Sequence, residues 1–242
     1  MFSATMQPNV QELVKRVMVD PVCIQVGQRN ATASAVAQKI VYVGREDAKL
    51  MTLRQSLKEG FVPPMLIFVQ SKQRAKELFH ELMYDQVNVA VIHGDKKKQE
   101  RDEIMQKFRL GDIWVLICTD LMARGIDFKT VNSVLNFDFP TSLVSYIHRV
   151  GRTGRAGREG TATTYFTDAD LPYVKTIANL MAKSGHEVPE WLKKLKDNHV
   201  ANNKAWKQLG EKPIRRKTIS TSIERNMNKR HLKLIKKDAR RI

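Results

Sequence analysis

Cysteine is nearly absent from this sequence. Cys23 and Cys118 are the two present, each inside an apolar run (VCIQV and WVLIC), with no CxxC pair or histidine-rich spacing beside them. That argues against a disulfide framework or a thiolate zinc site and predicts two buried thiols in a reducing compartment. Also missing are any run of about 18 uncharged apolar residues and any basic-then-apolar leader pattern, so a soluble intracellular chain with no membrane partner is expected. Acidic residues are scarce, at 25 against 42 Lys and Arg, and the deficit is local. Residues 193–242 hold 17 Lys and Arg against 4 Asp and Glu, which leaves 25 against 21 for the first 192 residues. A clustered excess of this kind attracts phosphate, whereas a dispersed one mainly confers solubility.

What is there is enough apolar material, 42% of 242 residues, for one substantial core with attachments. Short β-branched runs recur at 22–26, 39–43, 65–69, 89–92, 114–118, 131–137 and 161–166 and read as buried strands. Between them, apolar residues at helical spacing mark 45–59 (Leu50, Leu53, Leu57), 73–84 (Leu78, Leu82), 97–110 (Ile104, Phe108) and 168–184 (Val174, Ile177, Met181). Strand and helix alternate from residue 39 to 184, which predicts an α/β fold with a doubly wound parallel sheet. Ahead of this block, residues 7–26 offer one helix and one strand, too little for a core, and read as the end of a separate domain spanning 1–28. A polar linker over 29–37 then leads to the main domain, 38–196. In the basic tail, 197–242, apolar periodicity fades and disorder or folding on a partner is expected. The T-x-x-E pattern at Thr221–Glu224 could start a basic helix there. Trp114 is expected in the core and Trp191 against the last helix, while His80 and His186 read as surface residues; Trp206 fits either stacking on a base or anchoring the tail.

Three stretches carry chemistry. In YIHRVGRTGRAGREG, 146–160, glycines that leave the backbone open alternate with Arg149, Arg152, Arg155 and Arg158. Guanidinium forks onto phosphate oxygens, so this loop suits a polyphosphate; on composition alone, a flexible basic loop fits equally. TDLMARGIDF, 119–128, follows the strongest predicted strand, where open α/β sheets bind ligands, although Thr-Asp after a strand is also a common helix cap. VIHGDKKKQERDEIMQKFRLG, 91–111, runs from a strand end into a helix whose first turns are rich in lysine, either a phosphate site or a solvated charge run.

Together these stretches identify the chain as resembling the DEAD-box RNA helicases of superfamily 2. HRVGRTGRAG is similar to motif VI, TDLMARGID to motif V, LIFVQSKQRA to motif IV, IHGD to motif IVa and FSAT, residues 2–5, to motif III, five motifs in family order over about 160 residues. The resemblance implies the C-terminal RecA-like half of a two-domain motor, with residues 1–28 a remnant of the N-terminal RecA-like domain and ATP and RNA bound across the cleft. It implies arginine fingers at Arg152 and Arg155, ribose recognition by Asp127 with Gly125 beside it, and RNA-backbone contacts from Ser71, Gly94, Arg101 and Thr119. Ser3 and Thr5 match the motif coupling ATP hydrolysis to strand separation. In motif IVa the family often has glutamine three residues before the arginine, where this chain has Lys98.

Neither GxxxxGK[ST] nor D-E-A-D occurs, so the groups that cradle the β- and γ-phosphates and hold Mg²⁺ would come from the N-terminal RecA-like domain, and this chain alone is expected to be inactive on ATP. PEWLKKL, 189–195, and RKTISTS, 216–222, are similar to a nucleolar branch that remodels precursor ribosomal RNA, which implies that RNA as partner, a nuclear and nucleolar location, and room for a protein activator. The alternative is a truncated, non-catalytic RNA-binding module.

Overall fold

Six of the seven apolar runs become strands of one parallel sheet. The computed structural model describes residues 8–24, 32, 35–120, 131–155, 157–194, 214, 216, 218 and 219. The strands are β1 (Val36–Tyr42), β2 (Met65–Phe68), β3 (Val89–Ile92), β4 (Val115–Cys118), β5 (Ser133–Asn136) and β6 (Gly160–Phe166). The helices are α1 (Pro8–Val17), α2 (Ala48–Glu59), α3 (Lys72–Tyr84), α4 (Lys98–Leu110), α5 (Leu143–Val150), α6 (Leu171–Lys183) and the single turn α7 (Glu190–Lys193). All strand pairs are parallel, in the order β1-β6-β5-β2-β4-β3. Strands β2, β4 and β5 are buried on both faces inside the sheet, while β1 at its edge exposes one face.

Because successive side chains alternate across a strand, each central strand feeds two cores. Leu66 and Phe68 of β2 and Leu116 and Cys118 of β4 join a core with Met105, Phe108, Tyr146, Val174 and Ile177, under α4, α5 and α6. Ile67, Val115 and Ile117 face the other way, onto Leu50 and Leu53 of α2 and Leu78 and Leu82 of α3. Local chemistry fixes the helix ends. The Ser71 hydroxyl accepts from the Arg74 N–H at 3.3 Å to start α3, Ser142 does the same for Ser145 at 3.0 Å at the head of α5, and Gly111 at φ 90° closes α4.

Several expectations need correction. Residues 22–24 form no strand, and Cys23 is exposed, since the described residues bring nothing over that segment; Cys118 alone is a buried thiol. Strand β1 begins at Val36, inside the expected linker. Trp114 is 46% exposed because it precedes β4 instead of lying in it. Trp191 stacks on Phe166 at 5.8 Å and stays 45% exposed. The stretch 146–160 is not all loop, for Tyr146–Val150 complete α5. Among the described residues no helix is long and apolar enough to cross a membrane. The pattern at 221–224 and Trp206 lie outside the described residues.

Candidate functional site

Adjacent strands β2 and β5 send their crossovers in opposite directions, β2 through α3 toward β3 and β5 through α5 toward β6. In an open α/β sheet the carboxyl ends at such a reversal leave a crevice. Here the crevice is floored by the chain's own charges. Asp138, fully buried just beyond β5, accepts from Arg74 Nε at 2.7 Å, Arg74 Nη2 at 2.8 Å, Lys49 Nζ at 3.3 Å and the Gln70 N–H at 2.9 Å. Glu46 joins the cluster through Lys49 at 3.1 Å and Arg74 at 2.6 Å. Burial by itself would push the Asp138 carboxyl up, but the Lys49 and Arg74 charges prevail and hold it well below the usual carboxylate range. Burial pulls the Lys49 ammonium down, with the Asp138 carboxylate opposing.

Three of the candidate RNA residues lie at strand ends on this same carboxyl edge. Ser71 follows β2, Gly94 follows β3 and Thr119 follows β4. The Val69 N–H donates to the Cys118 carbonyl at 3.0 Å and the Asp138 N–H to the Phe68 carbonyl at 3.1 Å, which lays the Ser71, Thr119 and Asp138 loops side by side. An exposed ion pair, Lys72 to Asp95 at 2.9 Å, ties the Gly94 loop to the start of α3. Arg101 rises from the first turn of α4, one turn after Lys98. Ser71 uses one of its two acceptor lone pairs on the helix cap, a bond that leaves its O–H able to donate.

Gly94 is instructive. It is exposed, a Cβ added there would meet nothing within 4 Å, and its φ is not in the positive range. The fold therefore does not require glycine at this position. Gly94→Ala is expected to leave stability unchanged or raise it by about 0.4–1 kcal/mol through the unfolded chain. RNA affinity should fall in the same variant; equal affinity by fluorescence anisotropy would remove Gly94 from the interface.

The other glycines read differently from the expectation. Gly154 has φ +68°, and a Cβ there would lie 2.3 Å from Val36 Cγ2; at Gly160 it would lie 2.1 Å from Thr153 Oγ1. These two serve packing between the motif VI turn and the starts of β1 and β6. Gly157 alone of the pattern combines positive φ with open space. Gly154→Ala should cost about 3 kcal/mol, joining a left-handed backbone to an overpacked contact, and should lower the denaturation midpoint accordingly.

Motif VI also divides its arginines. Arg149 is 2% exposed and structural: it forks onto Asp120 at 2.6 and 2.9 Å, donates to the Asp138 carbonyl at 2.7 Å and lies 5.2 Å from the Phe68 ring centroid. Arg152 and Arg155 are half-buried, each donating its Nε to the carbonyl four residues earlier, His148 at 3.0 Å and Gly151 at 2.9 Å. The Arg149 and Arg152 charges reach Cys118 at the carboxyl end of β4, where burial nonetheless pushes the thiol up. Ser3, Thr5, Gly125 and Asp127 lie outside the described residues. Among the described residues no group of three or more His, Cys, Asp or Glu side chains is placed to hold a metal ion.

Sequence reasoning missed the floor of the site: Glu46, Lys49, Arg74, Asp138 and, from the tail, Arg216. The one available signal was Asp138 itself, a carboxylate set between Phe137 and Phe139 at a strand end, since an acid in such a run must find buried cations. A cavity of about 440 Å³ opens elsewhere, between α2 and β1, β6 and β5, lined by Lys39, Ser56, Glu59, Thr163 and Tyr165; none of the candidate site residues lines it.

A parallel α/β domain with three motif-bearing loops along its carboxyl edge and an arginine-bearing turn beside them is the architecture of a RecA-like helicase domain. The family described as Helicase conserved C-terminal domain matches residues 48–157. Probable ATP-dependent RNA helicase ddx52 of Dictyostelium discoideum is 51% identical over 221 residues, 91% of this chain and 32% of that protein. The C-terminal domain of the DEAD-box protein Dbp5 superposes with a TM-score of 0.56 at 33% identity, covering 63% of this chain and 87% of that one. S. cerevisiae Dbp5 bound to RNA and ADP BeF3 gives a TM-score of 0.68 at 30% identity, covering 86% of this chain and 54% of that one. The chain belongs to the DEAD-box RNA helicases and corresponds to their C-terminal RecA-like half. It spans about a third of the length of the curated relative it matches.

Proposed function

We propose that this chain supplies the C-terminal half of an ATP-dependent RNA helicase, gripping the RNA backbone with Ser71, Gly94, Arg101 and Thr119 and completing the ATP site with Arg152 and Arg155. The observation that carries the reading is the convergence of three separately motif-encoded loops, after β2, β3 and β4, on one rim of the sheet. Hydroxyl, backbone amide and guanidinium donors on such a rim suit phosphates, so the grip would be indifferent to base sequence. Asp127, with Gly125 beside it, would accept from the ribose, while Ser3 and Thr5 would couple hydrolysis to strand separation. ATP would be bound with Mg²⁺, the ion held mainly by the N-terminal RecA-like domain. Exposure of Val17, Val19, Val22 and Ile24 supports residues 1–28 as part of that domain, whose remaining elements would cover them. The segments 189–195 and 216–222 support precursor ribosomal RNA as substrate and the nucleolus as the place of action; a protein activator fits the same reading.

The test is RNA-stimulated ATP hydrolysis by the 242-residue chain, alone and with a matching N-terminal RecA-like domain added in trans. Turnover only in the mixture supports the helicase half. RNA binding without turnover in either arrangement would leave the non-catalytic RNA-binding module.

A further inference from the structure

We infer that Arg216, in the basic tail beyond the helicase fold, is a positioning residue for the RNA-facing rim: it balances the buried ion cluster behind Ser71 and Thr119 and so holds their two loops in register. The inference rests on reading those loops as RNA contacts. Arg216 does not face solvent. Its side chain is 4% exposed, donating through Nη1 to Glu46 at 3.1 Å and to Asp170 at 3.2 Å, and through Nη2 to Asp170 at 2.7 Å. Three residues on, Ile219 is buried against the α2 and α3 core and its N–H donates to Glu77 at 2.9 Å. The segment is thus fastened at two points, and its arginine points into the domain, away from any nucleic acid.

Charge explains what the fastening does. Lys49, Arg74 and Arg216 face Glu46, Asp138 and Asp170, three cations against three anions in a buried setting. Without Arg216, two cations would serve three carboxylates, and Arg74 would be shared more strongly between Glu46 and Asp138. Asp138 is where that loss reaches the rim. Its carboxylate holds the Gln70 N–H, next to Ser71, and its carbonyl holds Arg149, which fixes Asp120, next to Thr119. Glu46 and Asp170 stand in the loops after β1 and β6, so a tail residue completes a cluster that reaches across the carboxyl edge of the sheet.

The experiment compares the 242-residue chain with Arg216→Met, Arg216→Lys and the double variant Arg216→Met with Glu46→Gln, which restores the charge balance. Binding of a fluorescent single-stranded oligouridylate is measured across salt concentrations, and amide exchange is read at 69–71 and 118–120. Arg216→Met should weaken binding about tenfold, within the usual range of site-to-site coupling. The slope of log affinity against log salt should stay unchanged, because no phosphate contact is lost, and exchange should quicken at both loops. The double variant should recover most of the affinity, and Arg216→Lys should fall between. A slope smaller by about 0.7 would make Arg216 an RNA phosphate contact and overturn the inference. Unchanged affinity and unchanged exchange with only a lower thermal midpoint would reduce it to a fastening. If Arg216→Met does not fold, Arg216→Lys and the double variant decide the same question. If the unaltered chain binds no RNA, the RNA reading falls while the exchange comparison still tests the positioning.

Discussion

Arg152→Ala is expected to lower RNA-stimulated ATP turnover by roughly 10³–10⁵-fold in the presence of the N-terminal RecA-like domain, the range for removing an arginine finger. The fold should survive. Arg152 is half-buried and donates its Nε to the backbone carbonyl of His148, whereas Arg149 is buried on carboxylate and ring partners, so loss of Arg152 should cost far less stability than loss of Arg149. Arg149, one turn earlier, provides the contrast. It is buried on Asp120, Asn136, the Asp138 carbonyl and Phe68, so Arg149→Ala should unfold the domain instead of slowing chemistry. Steady-state turnover beside a thermal melt separates the two: a melted Arg152→Ala, or one with undiminished turnover, would mean that the roles of the two arginines are misassigned. Arg155, half-buried with its Nε on the Gly151 carbonyl, should behave as Arg152 does.

Asp138→Asn should destabilise the domain by about 3–5 kcal/mol, the cost of leaving buried cations without their counter-charge. Against a total of about 5–15 kcal/mol for a domain, that brings the variant near unfolding. The sign of the pH effect follows from the direction of the shift. The folded carboxyl titrates below its unfolded value, so its stabilising contribution is present above the ordinary aspartate range and is lost as pH falls through the folded value. Chemical denaturation from neutrality into acid should show the unaltered chain losing this contribution below the ordinary carboxylate range. The asparagine variant should be weaker at neutrality and flatter on the acid side. Equal midpoints for the two chains at neutral pH would mean that the cluster contributes nothing net.

Much of the architecture was legible along the chain because parallel strands, buried on both faces, must be apolar throughout. MLIF, VAVI and VLIC became β2, β3 and β4 within a residue of their expected limits. Helices α3 and α4 were legible for a different reason, their apolar residues recurring at helical spacing; the caps that end them, Ser71 before α3 and Gly111 after α4, came from the structure. The run at 22–24 misled because an apolar segment becomes a strand only when a partner strand lies beside it, and the described residues offer none. Trp114 misled because a single large apolar residue at a strand boundary can be pushed outward by the turn that precedes it.

What the order of residues determined by itself was the alternation of strand and helix, the motifs and their order along the chain, and hence the family. These depend on chemistry within a few positions of each residue. What only the tertiary structure decided was the division of labour inside those motifs: that Arg149 braces while Arg152 and Arg155 remain half-buried, that Gly154 and Gly160 make room for neighbouring strands while Gly94 leaves open backbone. It also decided that Asp138 gathers Lys49 and Arg74, and that Arg216 from the tail joins Glu46 and Asp170. Such pairings join residues up to 170 positions apart, and burial makes each one's charge depend on the others. No local pattern encodes that dependence.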